Sequence, residues 1–234
     1  MMTSKCFMGI FMCIALKTSF IEANWSKGET LFHAARMGNL PEVRSLLNDG
    51  VSPDEYETPS GHTALIIAVS NNYAEIVDVL LSNPQQPANP NARVTLGCTA
   101  LHYAAFRTQL DMIKNLCDHG ADPNAQSSRD CDFSKEQCTW RQRKDVPEGT
   151  GLSPLMSSAI ANRVKAVQAL LDNGADINLQ SFTGNTALHY STMYNAKEVA
   201  TFLLQHGANA SIKNKRGQTA KDIAIKKDSE KVRG

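Results

Sequence analysis

One landmark recurs along this chain, and its spacing limits what the chain can fold into. A Gly-x-Thr/Ser triplet begins at Gly61, Gly97, Gly151, Gly184 and Gly217, at intervals of 36, 54, 33 and 33 residues. The first four triplets are followed at a constant offset by Leu80-Leu81, Leu116-Cys117, Leu170-Leu171 and Leu203-Leu204. Closing glycines recur at Gly120, Gly174 and Gly207. Three landmarks in one register describe a stack of similar pieces, each covering its neighbour's apolar face.

The unit that begins at Gly184 is the most regular. Leu188, the small pair Ser191 and Thr192, Val199 and Leu203-Leu204 mark two short amphipathic helices. Thr186 is placed to cap the first, because its hydroxyl can accept from an open N–H of the first turn. Gly207 follows the second, where a left-handed residue closes a helix. A single helix pair cannot bury its apolar faces alone.

A period of 33 with Thr99-Ala-Leu-His-Tyr-Ala-Ala and Thr186-Ala-Leu-His-Tyr resembles the ankyrin-repeat family, and Gly-Ala-Asp-Pro-Asn at 120–124 and Gly-Ala-Asp-Ile-Asn at 174–178 match its turn. The resemblance runs from about Glu29 to the end of the chain. It implies an all-α solenoid of helix-turn-helix units with β-turn or hairpin connections. Five repeats (29–60, 61–96, 97–126, 151–183, 184–216) and a partial cap (217–234) would make one domain, 24–234. In unit one, Glu29 stands where the capping threonine belongs and Thr30 falls one residue late, so its cap is left open. Trp25 is placed to cover that unit's open face. In the cap, Lys221 takes the place of the core leucine.

Two stretches depart from the repeat. Residues 127–150 form an inserted loop of about 21 extra residues, with nearly balanced charge and few apolar side chains. It holds Cys131, Phe133, Cys138 and Trp140. In an exported chain, Cys131 and Cys138 are expected to close a small disulfide loop, while Cys98 is free or meets the insert. Residues 1–23 read as a signal peptide: Lys5, then an uncharged run from Cys6 to Leu16, too short to span a membrane comfortably. They imply a secreted or periplasmic protein, with the cytoplasm as the alternative.

The candidates for chemistry are few. His102 and His189 lack a nucleophile and orienting carboxylate in any recognisable motif. Phe32, Ile66 and Met156 replace them in other units, so they read as braces between repeats. No Cys-x-x-Cys pair or phosphate-binding loop is present, so no metal, cofactor or catalytic residue is expected. A net charge of +1 gives no reason to expect nucleic acid as a partner.

What remains is surface. The resemblance implies a concave face that meets a protein partner through turn tips and the first helix of each unit. The positions it points to are Arg36, Met37, Asn71, Leu96, Phe106, Arg107, Phe182, Met193 and Tyr194, with Phe133 and Trp140 from the insert. The expectation is a monomeric, non-catalytic binding module without stable membrane insertion. The alternatives are a redox- or metal-responsive protein working through the insert's cysteines, an enzyme with its site in the insert, or an intracellular scaffold.

Overall fold

The computed structural model describes residues 25–128 and 150–233, with side chains as far as Lys227. Among them are eleven helices and no strand. An inner layer holds α1 (Lys27–Met37), α3 (Ala64–Ser70), α5 (Ala100–Arg107), α7 (Pro154–Ile160), α9 (Ala187–Met193) and α11 (Ala220–Arg233). An outer layer holds α2 (Leu40–Asn48), α4 (Ala74–Leu81), α6 (Leu110–Asp118), α8 (Val164–Asp172) and α10 (Lys197–Gln205). Each inner helix packs on the next inner helix and on its own outer partner, and the outer helices pack in succession. The expected all-α stack of helix pairs is the fold observed.

The core runs between the layers. Leu31, Leu65, Leu101, Leu155 and Leu188 occupy one inner-helix position, each at most 4% exposed. Burying a side chain of this size stabilises by about 1.5–3 kcal/mol. The sixth unit has the exposed Lys221 there.

Local chemistry sets the helix ends. The first inner helix begins earlier than the repeat register suggests, because Ser26 is its cap. Ser26 Oγ accepts from Glu29 N–H at 3.1 Å, and Glu29 Oε2 accepts from Ser26 N–H at 2.9 Å. Glu29, at the threonine position of the other units, thus completes another residue's cap. Trp25 stacks on His33 at 3.8 Å between ring centroids.

Each helix pair turns through one left-handed residue, namely Gly38, Asn72, Thr108, Asn162 and Asn195, at φ from 55° to 75°. Glycine and asparagine tolerate this conformation, whereas a β-branched threonine does not adopt it readily. Each pair then closes with an N–H to a carbonyl five residues back, as from Ala121 to Leu116 at 2.9 Å. In unit two the bond spans eight residues, Ala88 to Leu80 at 2.9 Å, which absorbs the three extra residues of the proline-containing loop.

The hairpin connections, or fingers, are tied side by side. At the tips, backbone N–H groups of Thr95, Ser128, Phe182 and Lys215 donate to carbonyls of Ser60, Leu96, Thr150 and Thr183 at 2.8–3.0 Å. Two residues before the tip, Arg93 bridges to the carbonyls of Gly97 and Gln126, Gln126 to those of Gly151 and Gln180, and Gln180 to those of Gly184 and Lys213. Lower down, Asn91 and Asn124 each donate to the preceding-helix turn of the next unit, at Gly120 and Gly174. Asn91, Asn124 and Asn178 accept from Asp122, Asp176 and Asn209 N–H. These rows fix the spacing and tilt of each finger against the next.

The interruption does not break the rows. In regular fingers the donor and acceptor of the tip row are adjacent residues, Thr95 and Leu96 or Phe182 and Thr183. In the interrupted finger they are Ser128 and Thr150. Ser127 N–H reaches the Leu152 carbonyl at 2.8 Å, and Leu152 N–H reaches Ser127 Oγ at 3.1 Å. Residues 129–149 therefore fall within a single link at the finger tip, and the stack continues on both sides.

Candidate functional site

The two histidines are structural braces. Thr99 N–H donates to His102 Nδ1 at 3.1 Å, which leaves the proton on Nε2, and Nε2 donates to the Leu152 carbonyl at 2.9 Å. His189 repeats the arrangement with Thr186 N–H at 3.2 Å and the Gln218 carbonyl at 3.0 Å. Each ring closes a helix cap and ties one unit to the next. Burial pushes the His102 pKa down to about 4, a group held neutral rather than poised for proton transfer. Burial also lowers that of His189.

The cysteines divide in the same way. Cys117 is a free thiol, half-buried against the core rather than enclosed in it, and burial raises its pKa to about 11. A thiol so far from its thiolate is a poor nucleophile. Cys98 is fully buried and disulfide-bonded, with its partner outside the described residues. The expected Cys131–Cys138 pair, Phe133, Trp140 and the signal segment 1–23 also lie outside them. No group of three or more His, Cys, Asp or Glu side chains is arranged to hold a metal among the described residues. No described helix is long and apolar enough to cross a membrane.

The residues expected to bind a partner lie along two rows. The first is the last turn of the inner helices. Met37 is 76% exposed and Tyr194 52%, while Phe106 and Met193 are half-buried against the core. Arg36 is exposed beside Met37. Asn71 and Arg107 have a task that residue type alone did not reveal. Asn71 Nδ2 donates to the Arg36 carbonyl at 3.0 Å, and Arg107 Nη1 to the Ser70 carbonyl at 2.6 Å. Lys227 does the same one unit after Tyr194, with Nζ 2.5 Å from the Met193 carbonyl. Cationic and amide donors at this position cap the open carbonyls of the preceding inner helix. Units four and five place Ala161 and Tyr194 there.

The second row is the finger tips. Leu96 is half-buried, and its carbonyl accepts from Ser128. Phe182 is 47% exposed and lies with one face over Gly151, where a Cβ would meet its ring at 2.6 Å. Gly151 thus provides the seat for the largest side chain at a described finger tip. The interrupted finger stands between these two tips, with Ser128 and Thr150 in this row. Sequence reasoning missed the donor rows. Their signal was present as Arg93, Gln126 and Gln180 in one register, yet polar residues near a turn look like ordinary solvated surface.

This architecture can bind but offers no assembled catalytic group among the described residues. The family model for ankyrin repeats, in three copies, matches residues 31–127, 131–214 and 155–233. Similar proteins include one from Acanthamoeba polyphaga mimivirus named for its ankyrin repeats, 31% identical over 77% of this chain and 21% of its own length. A Rickettsia felis protein named in the same way is 30% identical over 67% of this chain and 44% of its own. The mouse B-cell lymphoma 3 protein homolog is 29% identical over 69% of this chain and 32% of its own. The chain thus spans less than half the length of each of these relatives. The repeat register, the paired helices with their tied fingers and the family match agree: the chain belongs to the ankyrin-repeat family.

Proposed function

We propose that the chain is a non-catalytic binding module that holds a protein partner on its concave face, between finger tips and inner helices. The observation that carries this reading is apolar exposure on a stack whose units are otherwise closely tied. Met37, Phe182 and Tyr194 remain substantially open to solvent at inner-helix ends and a finger tip. Large aromatic and methionine side chains in such positions bury much area when covered, which is how interface anchors act. The donor rows support the same reading, since a surface already held in shape loses little entropy on association.

The insert belongs to this reading as a second contact through Phe133 and Trp140. The partner of the Cys98 disulfide lies among Cys6, Cys13, Cys131 and Cys138, and pairing with Cys131 or Cys138 would tie the insert to the third unit in place of the expected Cys131–Cys138 loop. Export rests on residues 1–23, and the amino-terminal sequence of the protein from its native source tests it. The binding reading is tested by affinity capture with a Phe182→Ala, Tyr194→Ala chain. Partners retained by the parent chain should be lost by the variant while its thermal melt is preserved; equal retention would move the site elsewhere.

A further inference from the structure

We infer that the concave face over the fifth unit and the cap takes an acidic peptide segment with an apolar anchor. This rests on the binding reading above and adds the partner's chemistry.

The last finger and the cap are locally basic, although the net charge of the protein is only +1. The last finger and the cap helix expose Lys213, Lys215, Arg216, Lys221 and Lys226. The one described carboxylate of the last finger and cap helix is Asp222, which is engaged in a helix cap with Thr219 N–H and hydroxyl, both at 2.8 Å. The outer helices of units three to five expose both signs, Lys114, Lys165 and Lys197 beside Asp111, Asp118, Asp172 and Glu198. An acidic segment is therefore drawn to the last finger and cap rather than to the mixed outer face.

The cations are also placed beside the apolar groups. Lys215 N–H donates to the Thr183 carbonyl at 3.0 Å, which sets Lys215 and Arg216 next to the Phe182 tip. Lys227 Nζ lies 2.5 Å from the Met193 carbonyl, which sets the cap helix and Lys226 beside Tyr194. One apolar side chain against Phe182 or Tyr194, with carboxylates one unit further on, satisfies both features. A polyanion such as RNA needs positive charge along its whole track. The fingers and inner helices of units four and five carry no charged residue from Thr150 to Asn162 or from Leu179 to Asn195.

The test selects a phage-displayed library of random 16-residue peptides on the whole chain and measures the enriched peptides by fluorescence polarisation. Enriched sequences should be net acidic with an aromatic or aliphatic residue, and poly(U) RNA should not displace them. Lys215→Glu with Arg216→Glu should weaken binding about tenfold or more, and raising salt should weaken it further. These side chains are exposed, so the variant's melt should match the parent's. Enriched peptides that are neutral or basic, an unchanged affinity after charge reversal, displacement by RNA, or no enrichment would each overturn the inference. Neutral peptides whose binding is lost in Phe182→Ala, Tyr194→Ala would overturn the acidic partner while leaving the binding face intact.

Discussion

His102 Nε2 donates to the carbonyl oxygen of Leu152 across 2.9 Å, joining residues fifty positions apart. The bond needs a neutral ring, and burial holds the folded pKa near 4, below the ordinary 6.5. The unfolded chain therefore takes up the proton first. This stability is fully present above pH 6.5 and is lost as the pH falls towards 4, by about 2 kcal/mol between pH 7 and pH 5. His62 and His189 shift in the same direction. Urea unfolding at the two pH values should show a smaller acid loss in His102→Gln than in the parent. Equal losses would mean that the ring is not the proton-linked group.

The same bond joins the two units that flank the insert. Joining Ser128 directly to Thr150 restores the adjacency found at Thr95-Leu96 and Phe182-Thr183. In a Cys98→Ala background, deletion of residues 129–149 should leave the helical circular dichroism per helix unchanged. It should raise stability by up to roughly 1–2 kcal/mol through lost loop-closure entropy. A deleted chain that fails to fold would show that the insert supports the stack.

Two glycines in similar backbone conformations, one opening a triplet and one closing a helix pair, should respond differently to alanine. Gly97 has φ 79° and a Cβ there would lie 2.4 Å from Ser128 N, whereas Gly120 has φ 85° and open space around it. Gly120→Ala should cost about 1–2 kcal/mol, the strain of a left-handed alanine. Gly97→Ala should cost clearly more, because a backbone in the tip row must also move. Chemical denaturation of the two variants makes the comparison.

Thr108 is a site where the natural residue is a poor choice for stability. It is left-handed at φ 63°, where other units use glycine or asparagine, and its Oγ1 is buried without a hydrogen-bond partner. Thr108→Asn should raise stability by about 1 kcal/mol. A lower melting temperature would show that the neighbouring Gln109 and Arg107 contacts depend on threonine.

The disulfide of Cys98 gives a direct chemical check. A peptide map without reductant should find Cys98 joined to Cys131 or Cys138, with Cys117 alkylated as a free thiol. Cys131 joined to Cys138 would return the insert to a self-closed loop.

Much of the fold was legible because an ankyrin unit is short and its signals are local. Gly184, Thr186, Leu188 and Gly207 act within their own helix pair, so their spacing alone carried the periodicity, the helix pairs and the position of the interruption. The first unit was less legible. Its cap is Ser26, ahead of the repeat register, and no neighbouring unit repeats that choice. The site was legible only as a set of positions. Residue type and register pointed to Phe182 and Tyr194 as exposed, which they are, but Asn71 and Arg107, chosen by the same register, prove to be stacking donors.

The sequence by itself determined which stretches pair as helices, where units meet and where the chain departs from the pattern. Those outcomes follow from apolar period, caps and turn residues within about thirty positions. Only the tertiary structure decided which polar side chains hold the fingers together, that Gly151 seats Phe182, and that the basic last finger lies beside the Phe182 tip. These depend on which carbonyl, ring or carboxylate from another unit comes within a few ångströms, and stacking alone settles that.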